Sequence, residues 1–425
     1  MNVLILSTGG REHALGWKVR QSPLLNKLYF APGSAGTEAV GTHAPLDPTD
    51  HAAVAAFCHA QDIGLVIPGQ DVFYAAGIVD SLTAAGILTF GPTKAAAEIE
   101  WSKAYAKEVM QSAGVPTAAS KTFSDFDEAQ AHLRTQSFPI VIKADGLARG
   151  KGVVIAHTME EASAALRAAL VENTFGDAGR TVVIEEYLEG LEFSVHALCA
   201  GTDAILFPPS QDHKRAFDGD TGPNTGGMGI VAPLPGVSEA VMHEIRECIV
   251  LPTLHELKKR GRLFNGLLYP GIMLTKNGPK VIEFNARFGD PEAQAYMRLL
   301  TSDLLSALIK SAQGSLQDVA FRWSGESVAC VVVASGGYPG TYEKGRVIQG
   351  VEAAERGGAV IFHAGTARNK DGQLVTSGGR VLNVTATGKD LKSAIAAAYA
   401  ATAKISFDGA YYRTDIGAKA VSAVR

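Results

Sequence analysis

The stretch VIEFNARFGDPE, residues 281–292, alternates apolar and polar side chains in its first half, which is the pattern of a β-strand with two different faces. Its apolar positions are Ile282, Phe284 and Ala286. The opposite face then carries the Glu283 carboxylate, the Asn285 amide and the Arg287 guanidinium in a row. Carboxylate and amide oxygens suit a hard cation such as Mg²⁺, and a guanidinium can grip a phosphoryl group through two hydrogen bonds.

A metal site beside a phosphate clamp is what phosphoryl transfer requires. The alternative is an ordinary solvated strand face, which is common in proteins. The turn FGDPE that follows adds two further carboxylates, Asp290 and Glu292, and so favours a functional site. We therefore predict that the rest of the chain is organised around this stretch.

Length and composition indicate a multi-domain globular protein. With 425 residues, two or three domains are expected. The net charge of −4 argues against nucleic-acid binding, so anionic ligands must meet local basic groups. The four cysteines show no CxxC spacing, which argues against a zinc site or a disulfide framework. No apolar run reaches the length of a membrane span and the N-terminus does not resemble a signal peptide, so a cytoplasmic protein without membrane contact is expected.

The first hundred residues alternate short apolar strands with helical segments, which predicts a parallel, doubly wound α/β sheet. The strand Val3–Leu6 leads through the turn Ser7–Gly10 into a helix over Arg11–Arg20. Further strands are predicted at Lys27–Ala31, Gly64–Ile67 and Ile87–Phe90. Ligands of such sheets lie at the carboxyl ends of the strands, and free N–H groups at a helix start favour anions.

The remaining chain continues with mixed strands and helices. Strands are predicted at Pro139–Lys143, Val153–Ala156, Thr181–Tyr187 and Leu267–Leu274. Helices are predicted over Lys94–Ala113, Met159–Leu170, Val237–Arg260 and Pro291–Lys310. A third unit begins near residue 325, with strands at Ser327–Ala334, Ala359–Phe362 and Val381–Thr385 and a helix over Lys389–Ala403. The fold class is therefore α/β with α+β parts.

The segment KADGLARGKGV, residues 143–153, has the composition of a phosphate-covering loop between two strands. Its three glycines let the backbone approach a phosphate closely, and Lys143, Arg149 and Lys151 supply positive charge. It is not a Walker A loop, because GKS or GKT and a following helix are missing. Lys143 ends an apolar strand, so it is either paired in the interior or extended to solvent.

Two other stretches carry weaker signals. Glu185 and Glu186 end a predicted strand and could grip adenine and ribose, although a solvated acidic strand end is the alternative. Residues 210–229, SQDHKRAFDGDTGPNTGGMG, have no periodicity and are predicted as a structureless loop of 20 residues. Such loops are uncommon in compact domains and usually functional, with a disordered linker as the alternative.

Motifs along nearly the whole chain resemble those of the glycinamide ribonucleotide synthetases, a family of the ATP-grasp superfamily. They are GGREHAL at Gly9–Leu15, GPT at Gly91–Thr93, Ser102-Lys103, KADGLARGKGV, EEYL, SQDHKR with DTGPNTGGMG, VIEFNARFGDPE, GGYPG, HAGT, GGRVL and DIG at Asp415–Gly417. The resemblance implies an N-terminal domain over residues 1–100 and a two-lobed ATP-grasp core over 101–324, in which 118–190 cover the nucleotide. A small C-terminal domain over 325–425 would complete the fold.

The activity implied by the resemblance is the ATP-dependent ligation of glycine to 5-phosphoribosylamine in de novo purine biosynthesis. The products are glycinamide ribonucleotide, ADP and phosphate, and a glycyl phosphate is the expected intermediate. A monomer with small-molecule substrates and without a nucleic-acid partner is expected. Two alternatives stay open: an ATP-grasp ligase that joins another acid and amine, and a nucleotide-binding protein without turnover.

The resemblance also implies roles for individual residues. Catalysis would involve Arg287, Lys143 and Asp212. ATP would be bound by Lys103, Lys143, Gly150, Lys151, Gly152, Glu185, Glu186, Leu188 and Glu192. Glycine and phosphoribosylamine would be held by Gly9, Gly10, Arg11, Asp212, Lys214, Asp220, Asn224, Arg287, Gly289 and Asp290. Mg²⁺ or Mn²⁺ would be held by Glu283 and Asn285.

Three positions depart from the usual pattern of the family. Gly69–Tyr74 reads GQDVFY where the family has GPExPL, Trp101 replaces the glycine before Ser-Lys, and Ser7 replaces a glycine in the first turn. The first departure lies at a strand end that faces the expected substrate. Without the two prolines we predict a softer loop, in which Phe73 and Tyr74 could pack down as apolar anchors.

Overall fold

The computed structural model describes residues 1–146 and 152–422. The candidate nucleotide residues Gly150 and Lys151 lie outside these ranges, while Gly152 lies within them. None of the helices in the described ranges is both long and apolar enough to cross a membrane.

The N-terminal part forms a parallel four-stranded sheet, as predicted. The strands are, in spatial order, Thr42–His43, Lys27–Pro32, Asn2–Ser7 and Ile63–Pro68. The helices are Gly10–Val19, His51–Ala60, Asp71–Ala76, Ile78–Ala84 and Lys94–Trp101. The strand order reverses beside Asn2–Ser7, so the carboxyl ends of Asn2–Ser7 and Ile63–Pro68 border a crevice suited to ligands. The predicted strand Ile87–Phe90 makes only one bridge, Val66 with Thr89, before the chain turns at Gly91, where φ is +123°.

Two predicted long helices are each divided by a capping residue. The chain over Lys94–Ala113 breaks at Ser102, whose side chain accepts a hydrogen bond from the N–H of Tyr105 and starts the helix Lys103–Ala113. The chain over Pro291–Lys310 breaks before Asp303, which caps the second helix in the same way. The resulting pair is Glu292–Leu299 and Leu304–Ala312. Predicting continuous helices here was wrong, because the capping role of a polar residue is hidden inside an otherwise helical pattern.

Residues 120–186 form a small antiparallel sheet with helices on one face. The strands are, in spatial order, Ser120–Phe123, Val182–Glu186, Ile140–Ala144 and Val153–Ala156. The helices are Phe126–Leu133 and Met159–Leu166, the latter continued by a π-helical turn at Arg167–Val171, and a short 3₁₀ turn follows at Gly176–Gly179. Phe123, Leu133, Ile142 and Leu166 belong to a separate hydrophobic core, so this lobe is packed independently of the rest.

A second sheet carries the stretch 281–292. Its strands are, in spatial order, Asp203–Leu206, Ala197–Gly201, Phe264–Thr275 and Gly278–Asn285, with Leu191–Ser194 also paired to Phe264–Thr275. Helical segments Glu239–Ile245, Arg246–Val250 (a π-helical turn) and Leu251–Lys259 replace the single predicted helix. The strand Gly278–Asn285 is interrupted by a β-bulge, because Gly271 faces Glu283 whereas Ile272 faces Val281.

The bulge corrects the predicted alternation. Val281 and Phe284 are both buried in the core, and Ile282, opposite no partner, is only half-buried. The polar side of the pattern is retained by Glu283 and Asn285, after which the strand ends. Strict alternation therefore fails at one position, since a bulge adds a residue that the sequence does not mark.

The C-terminal part is a six-stranded sheet that includes strands from the middle of the chain. The spatial order is Gln211–Asp212, Gly229–Ala232, Ser327–Ser335, Arg380–Gly388 and Val360–His363, with Ala410–Tyr411 also paired to Ser327–Ser335. A separate ribbon pairs Thr366–Arg368 with Leu374–Thr376, and the helices are Val351–Glu355, Leu391–Thr402 and Ala418–Ser422.

Residues 210–229 are therefore not structureless, and that prediction was wrong. Their ends pair into the C-terminal sheet, and a hairpin of Arg215–Phe217 with Thr221–Asn224 closes around a 3₁₀ turn at Asp218–Asp220. Strands of two to four residues are too short for the sequence to show a period of two.

Candidate active site

A pocket lies between the small antiparallel lobe and the strand Gly278–Asn285. The residues that line it include Lys103, Lys107, Lys143, Glu185, Ile282 and Glu283. The structure thus brings together candidate residues from four separate motifs, which are up to 180 positions apart in sequence.

Lys143 is buried and paired, which decides between its two sequence interpretations. Its Nζ lies 2.9 Å from Oε2 of Glu185 and donates to the carbonyl oxygen of Ile282 at 2.8 Å. Ile282 is the bulged residue of the strand, and its carbonyl oxygen accepts from Lys143 of the small lobe. The side chain of Lys143 is 4% exposed, so it does not extend to solvent.

Lys107 is a site residue that sequence reasoning missed. Its Nζ lies 3.1 Å from Oε1 of Glu185 and donates to Oγ1 of Thr117 at 2.8 Å. Burial, only partly offset by Glu185, lowers the pKa of Lys107. The signal was available, because Lys103 and Lys107 are four residues apart and share one helix face.

Asp145 and Gly146, near the beginning of the segment 143–153, contact the start of the helix Lys103–Ala113. Asp145 accepts hydrogen bonds from the Ser102 hydroxyl at 3.2 Å and from the N–H of Ala104 at 3.1 Å. Lys103 donates to the carbonyl oxygen of Gly146 at 3.3 Å. Asp145 and Gly146 are thus tied to the helix that carries Lys103 and Lys107.

Glu186, Leu188 and Glu192, which are also candidate nucleotide residues, follow Glu185 in sequence and are not among the residues that line the pocket. Glu186 is exposed and accepts from Lys280 at 2.9 Å, and this hydrogen bond lowers its pKa. Leu188 is half-buried in the connection that follows. Glu192 is exposed, and its Oε1 lies 2.5 Å from Nζ of Lys214.

Glu283 and Asn285 offer two oxygen donors on one face of the strand. Glu283 lies 3.7 Å from Nζ of Lys214, and the charges of Lys214 and Lys143 lower its pKa although burial opposes this. Oδ1 of Asn285 accepts from Nη2 of Arg287 at 3.0 Å. The described residues contain no cluster of three His, Cys, Asp or Glu side chains suited to a metal. Two oxygen donors on one strand face beside the pocket fit Mg²⁺, which usually takes its other ligands from phosphates and water.

Arg287 is fixed by a carboxylate that the sequence analysis did not single out. Oε1 of Glu100 lies 3.2 Å from Nε of Arg287, and Oε2 accepts from the N–H of Ala286 at 2.8 Å. Burial raises the pKa of Glu100 although Arg287 opposes the shift. Arg287 and Arg11 both donate to the carbonyl oxygen of Phe288, at 3.3 and 3.0 Å. Two guanidinium groups therefore meet at the turn after the strand.

The glycines at the end of the first strand are required by packing. A Cβ on Gly9 would lie 2.4 Å from Oε2 of Glu12, and one on Gly69 would lie 1.9 Å from its Oε1. Glu12 is fully buried and accepts from Nε of Arg11 at 2.8 Å. A Cβ on Gly10 would lie 2.2 Å from the amide nitrogen of Asn383. The buried Glu12 carboxylate thus packs against the glycines at the ends of both strands.

The segment Gly69–Tyr74 becomes helical from Asp71, where a loop was predicted, and its greater softness stays a prediction. Asp71 begins the helix Asp71–Ala76, and Phe73 and Tyr74 are buried, which confirms them as apolar anchors. Gln70 donates to the hydroxyl oxygen of Ser7 at 2.7 Å, so two departures from the family pattern contact each other.

Ser7 and Trp101 also have defined structural roles. Ser7 adopts a φ of +118°, a region that glycine occupies at lower cost. Trp101 ends its helix and packs, half-buried, against the core. Both departures are therefore accommodated by the fold.

Asp212 lies in an acidic environment. Its Oδ1 accepts from the N–H of His213 at 2.7 Å, and its pKa is raised well above the usual range by burial and by the charge of Glu292. Glu292 accepts from the Tyr269 hydroxyl at 2.5 Å. A Cβ on Gly289 would lie 2.3 Å from Oε2 of Glu292, so this glycine lets the carboxylate pack against the backbone.

The other candidate substrate residues divide into two places. Oδ2 of Asp290, in the turn after Asn285, lies 3.3 Å from Nη2 of Arg380. Asp220 instead pairs with Arg413 at 2.8 Å and with Lys419 at 2.5 Å, in the C-terminal part. Asn224 ends the hairpin strand Thr221–Asn224. The carboxylate of Asp220 thus pairs with two C-terminal residues, away from the turn that contains Asp290.

Three family models match successive parts of the chain. They are described as phosphoribosylglycinamide synthetase N domain over residues 1–100, ATP-grasp (A) domain over 101–293 and C domain over 328–419. The matches cover most of the chain in the order expected for one protein.

Similar proteins agree with these matches. The chain is 50% identical to phosphoribosylamine–glycine ligase of Mesorhizobium japonicum over 425 residues, which is 100% of both chains. A crystal structure of phosphoribosylamine–glycine ligase from Thermotoga maritima covers 98% of this chain and 100% of that one, with 34% identity and a TM-score of 0.85.

A more distant structure shows the shared fold. The biotin carboxylase domain of Hydrogenobacter thermophilus 2-oxoglutarate carboxylase, in complex with MgADP, is 16% identical, with a TM-score of 0.71, and covers 96% of this chain and 91% of that one. The fold is therefore an ATP-grasp fold, and ATP-grasp enzymes use ATP with divalent metal ions. On its match to all three family models and its identity to a full-length relative, the chain belongs to the phosphoribosylamine–glycine ligase family.

Proposed function

We propose that this enzyme joins glycine to 5-phosphoribosylamine at the expense of ATP, giving glycinamide ribonucleotide, ADP and phosphate. The observation that carries the proposal is the pocket in which Lys143, paired with Glu185, faces the Glu283–Asn285 strand. A buried lysine, an oxygen-rich strand and an adjacent arginine supply what phosphoryl transfer to a carboxylate needs.

The reaction proceeds in two steps because a carboxylate resists attack by an amine. In the first, a carboxylate oxygen of glycine attacks the γ-phosphorus of ATP, and the bond to ADP breaks. In the second, the amine of phosphoribosylamine attacks the carbonyl carbon of glycyl phosphate. Phosphate then leaves with one oxygen of the original glycine, and the nitrogen loses a proton.

The residues divide between these steps. Lys103 and Lys143 would hold the ATP phosphates, with Glu185, Glu186, Leu188 and Glu192 toward the adenosine. Mg²⁺ or Mn²⁺ held by Glu283 and Asn285 would neutralise charge on the phosphate oxygens. Arg287 would bind the transferred group, where its pairing with Glu100 keeps the guanidinium in one orientation.

The residues that would hold glycine and phosphoribosylamine come from several segments that meet near the turn after Asn285. Asp212 and Lys214 come from the neighbouring strands and loop, and Gly289 and Asp290 from the turn. Arg11 reaches the same turn from the N-terminal sheet through the carbonyl oxygen of Phe288. Gly9 and Gly10 would shape the crevice, while Asp220 and Asn224 would act through the hairpin that they belong to. Gly150 and Lys151 stay predicted nucleotide residues outside the described ranges.

ADP release tests the proposal directly. It should require glycine and phosphoribosylamine together, and a panel of other amino acids and amines should give little release. Turnover with another pair, and none with glycine and phosphoribosylamine, would favour the alternative ATP-grasp ligase. A monomer in the cytoplasm and domains over 1–100, 101–324 and 325–425 stay predictions, to which sedimentation and limited proteolysis are suited.

A further inference from the structure

The guanidinium of Arg380 joins two segments at the substrate end of the site. Arg380 begins the strand Arg380–Gly388 of the C-terminal sheet. Its Nη1 donates to the carbonyl oxygens of Gly226, Gly227 and Asp290 at 2.6, 3.3 and 2.7 Å. Its Nη2 lies 3.3 Å from Oδ2 of Asp290. One side chain thus holds both the loop 210–229 and the turn that follows Asn285.

The peptide group of Gly226 is held on both sides by C-terminal residues. Its N–H donates to the hydroxyl oxygen of Tyr338 at 3.2 Å, while its carbonyl accepts from Arg380. A Cβ on Gly226 would lie 3.1 Å from Cζ of Arg380, so the guanidinium packs directly on the glycine. This contact leaves little freedom for the backbone at this position.

The Gly227 backbone, which accepts from Arg380, packs in turn against the Asp212 carboxylate. Gly227 has a φ of +109°. A Cβ at this position would lie 2.7 Å from Oδ1 of Asp212 and 2.6 Å from Cδ of Pro291. Asp212 and Pro291 therefore both pack against the same side of the Gly227 backbone. A displacement of this backbone would move Asp212 relative to Asp290, which directly precedes Pro291.

The exposure of the pair indicates a strong interaction. The side chains of Arg380 and Asp290 are 19% and 13% exposed, so water screens their charges only partly. The planar guanidinium reaches three carbonyl oxygens and a carboxylate at once, which an ammonium group cannot reproduce.

We propose that Arg380 is a positioning residue, which sets the relative placement of Asp212 and Asp290 and through them the presentation of glycine and phosphoribosylamine. The inference rests on the proposed function, because it assigns the two segments to those substrates. Its contacts lie on the substrate side and none is to Lys103, Lys143 or Glu185, so ATP binding should not depend on it.

Arg380→Lys and Arg380→Ala test this role. The lysine variant keeps the charge and the stem but loses the fork of donors, so it should fold normally. In both variants kcat/KM for glycine and for phosphoribosylamine should fall by roughly 10²-fold, the effect of a misplacement of ~1 Å, while the Kd for ATP stays within about twofold. Arg346→Ala is the matched control, because Arg346 is a C-terminal arginine whose partners, Glu343 and Asp408, are exposed.

Chemical rescue distinguishes positioning from general support of the fold. Added methylguanidinium should restore part of the turnover of Arg380→Ala, because the truncated side chain leaves space for it. It should not restore Arg380→Met, in which the longer side chain fills that space. If Arg380→Ala does not fold, Arg380→Lys decides the question through its substrate and ATP parameters.

Two results would overturn the positioning role. One is unchanged kcat/KM for both substrates in Arg380→Lys, and the other is a parallel loss of ATP affinity. If the parent enzyme itself fails to turn over glycine and phosphoribosylamine, the proposed function is wrong and the role for Arg380 falls with it. An active parent with unaffected variants overturns only the role of Arg380.

Discussion

The carboxylate of Glu100 holds Arg287 at two points. One oxygen lies 3.2 Å from Nε of Arg287, and the other accepts from the N–H of Ala286, the residue before it, at 2.8 Å. The side chain of Glu100 is 7% exposed, so the pair is largely shielded from water. Glu100 therefore fixes both the guanidinium and the backbone from which it extends.

Glu100→Gln should reduce turnover while the protein stays folded. Glutamine can still accept from Ala286, but it loses the charge that pairs with Arg287. We expect kcat to fall by about tenfold to a hundredfold, as for loss of an orienting group. Glu98→Gln, on the same helix but with a partly exposed pair to Arg262, is the control. Equal kinetics of the two variants would contradict the positioning of Arg287 by Glu100.

Lys143→Met and Lys107→Met should separate nucleotide binding from stability. Lys143 is the lysine nearer the strand with Glu283, so its loss should weaken ATP binding while Lys107 still pairs with Glu185. Lys107 also donates to Thr117, so its loss should cost stability, on the order of 1–3 kcal/mol for a lost hydrogen bond of a buried charged group, while Lys143 still pairs with Glu185. Calorimetric ATP titration and thermal unfolding of both variants check this. A lower Tm with unchanged ATP affinity in Lys143→Met would support a structural role for Lys143 instead.

Glu283→Ala should nearly abolish turnover. Asn285 alone leaves a divalent cation short of negative charge, and we expect a loss of at least about 10²–10³ in kcat, as for removal of an electrostatic stabiliser. Initial rates across a Mg²⁺ titration, with metal-dependent ADP binding as a second measurement, provide the check. Normal turnover at limiting Mg²⁺ would remove Glu283 from the metal site.

Asp212→Asn should raise stability at neutral pH while lowering activity. The raised pKa of Asp212, caused by burial and then by Glu292, means that the folded protein binds this proton more tightly than the unfolded chain. The parent therefore loses stability as the pH rises from the unfolded-state pKa of about 4 up through the folded-state pKa. The asparagine cannot lose a proton, so it escapes this loss.

The Tm advantage of Asp212→Asn should accordingly be small at low pH and grow as the pH rises. Asp371→Asn, at an exposed aspartate, is the control and should follow the parent. Parallel curves of Tm against pH for Asp212→Asn and the parent would show that the carboxylate is not strained by its surroundings.

Much of the site could be predicted because its chemistry follows local sequence patterns. Strand ends, glycine-rich turns and alternating polar positions pointed to Lys143 on one segment and to Glu283 and Arg287 on another. What the sequence could not show was how distant segments meet. The pairing of Glu185 with Lys143, the contact between Gln70 and Ser7, and the contacts of Arg380 all join residues more than 40 positions apart.

The errors in the fold have local physical causes. The bulge at Ile282 and the helix break at Ser102 depend on contacts that no periodicity reveals. The hairpin in residues 210–229 is held by partners in the C-terminal sheet, so the isolated segment carries no strand signal. Such segments take their structure from tertiary contacts more than from their own propensity.

The central claim, that glycine is activated as an acyl phosphate in this pocket, is tested most directly by oxygen labelling. Glycine labelled with heavy oxygen in its carboxylate is incubated with the enzyme, ATP, Mg²⁺ and phosphoribosylamine, and the mass of the released phosphate is measured. The account predicts that each phosphate formed carries one heavy oxygen from glycine. Unlabelled phosphate, released together with glycinamide ribonucleotide, would contradict it.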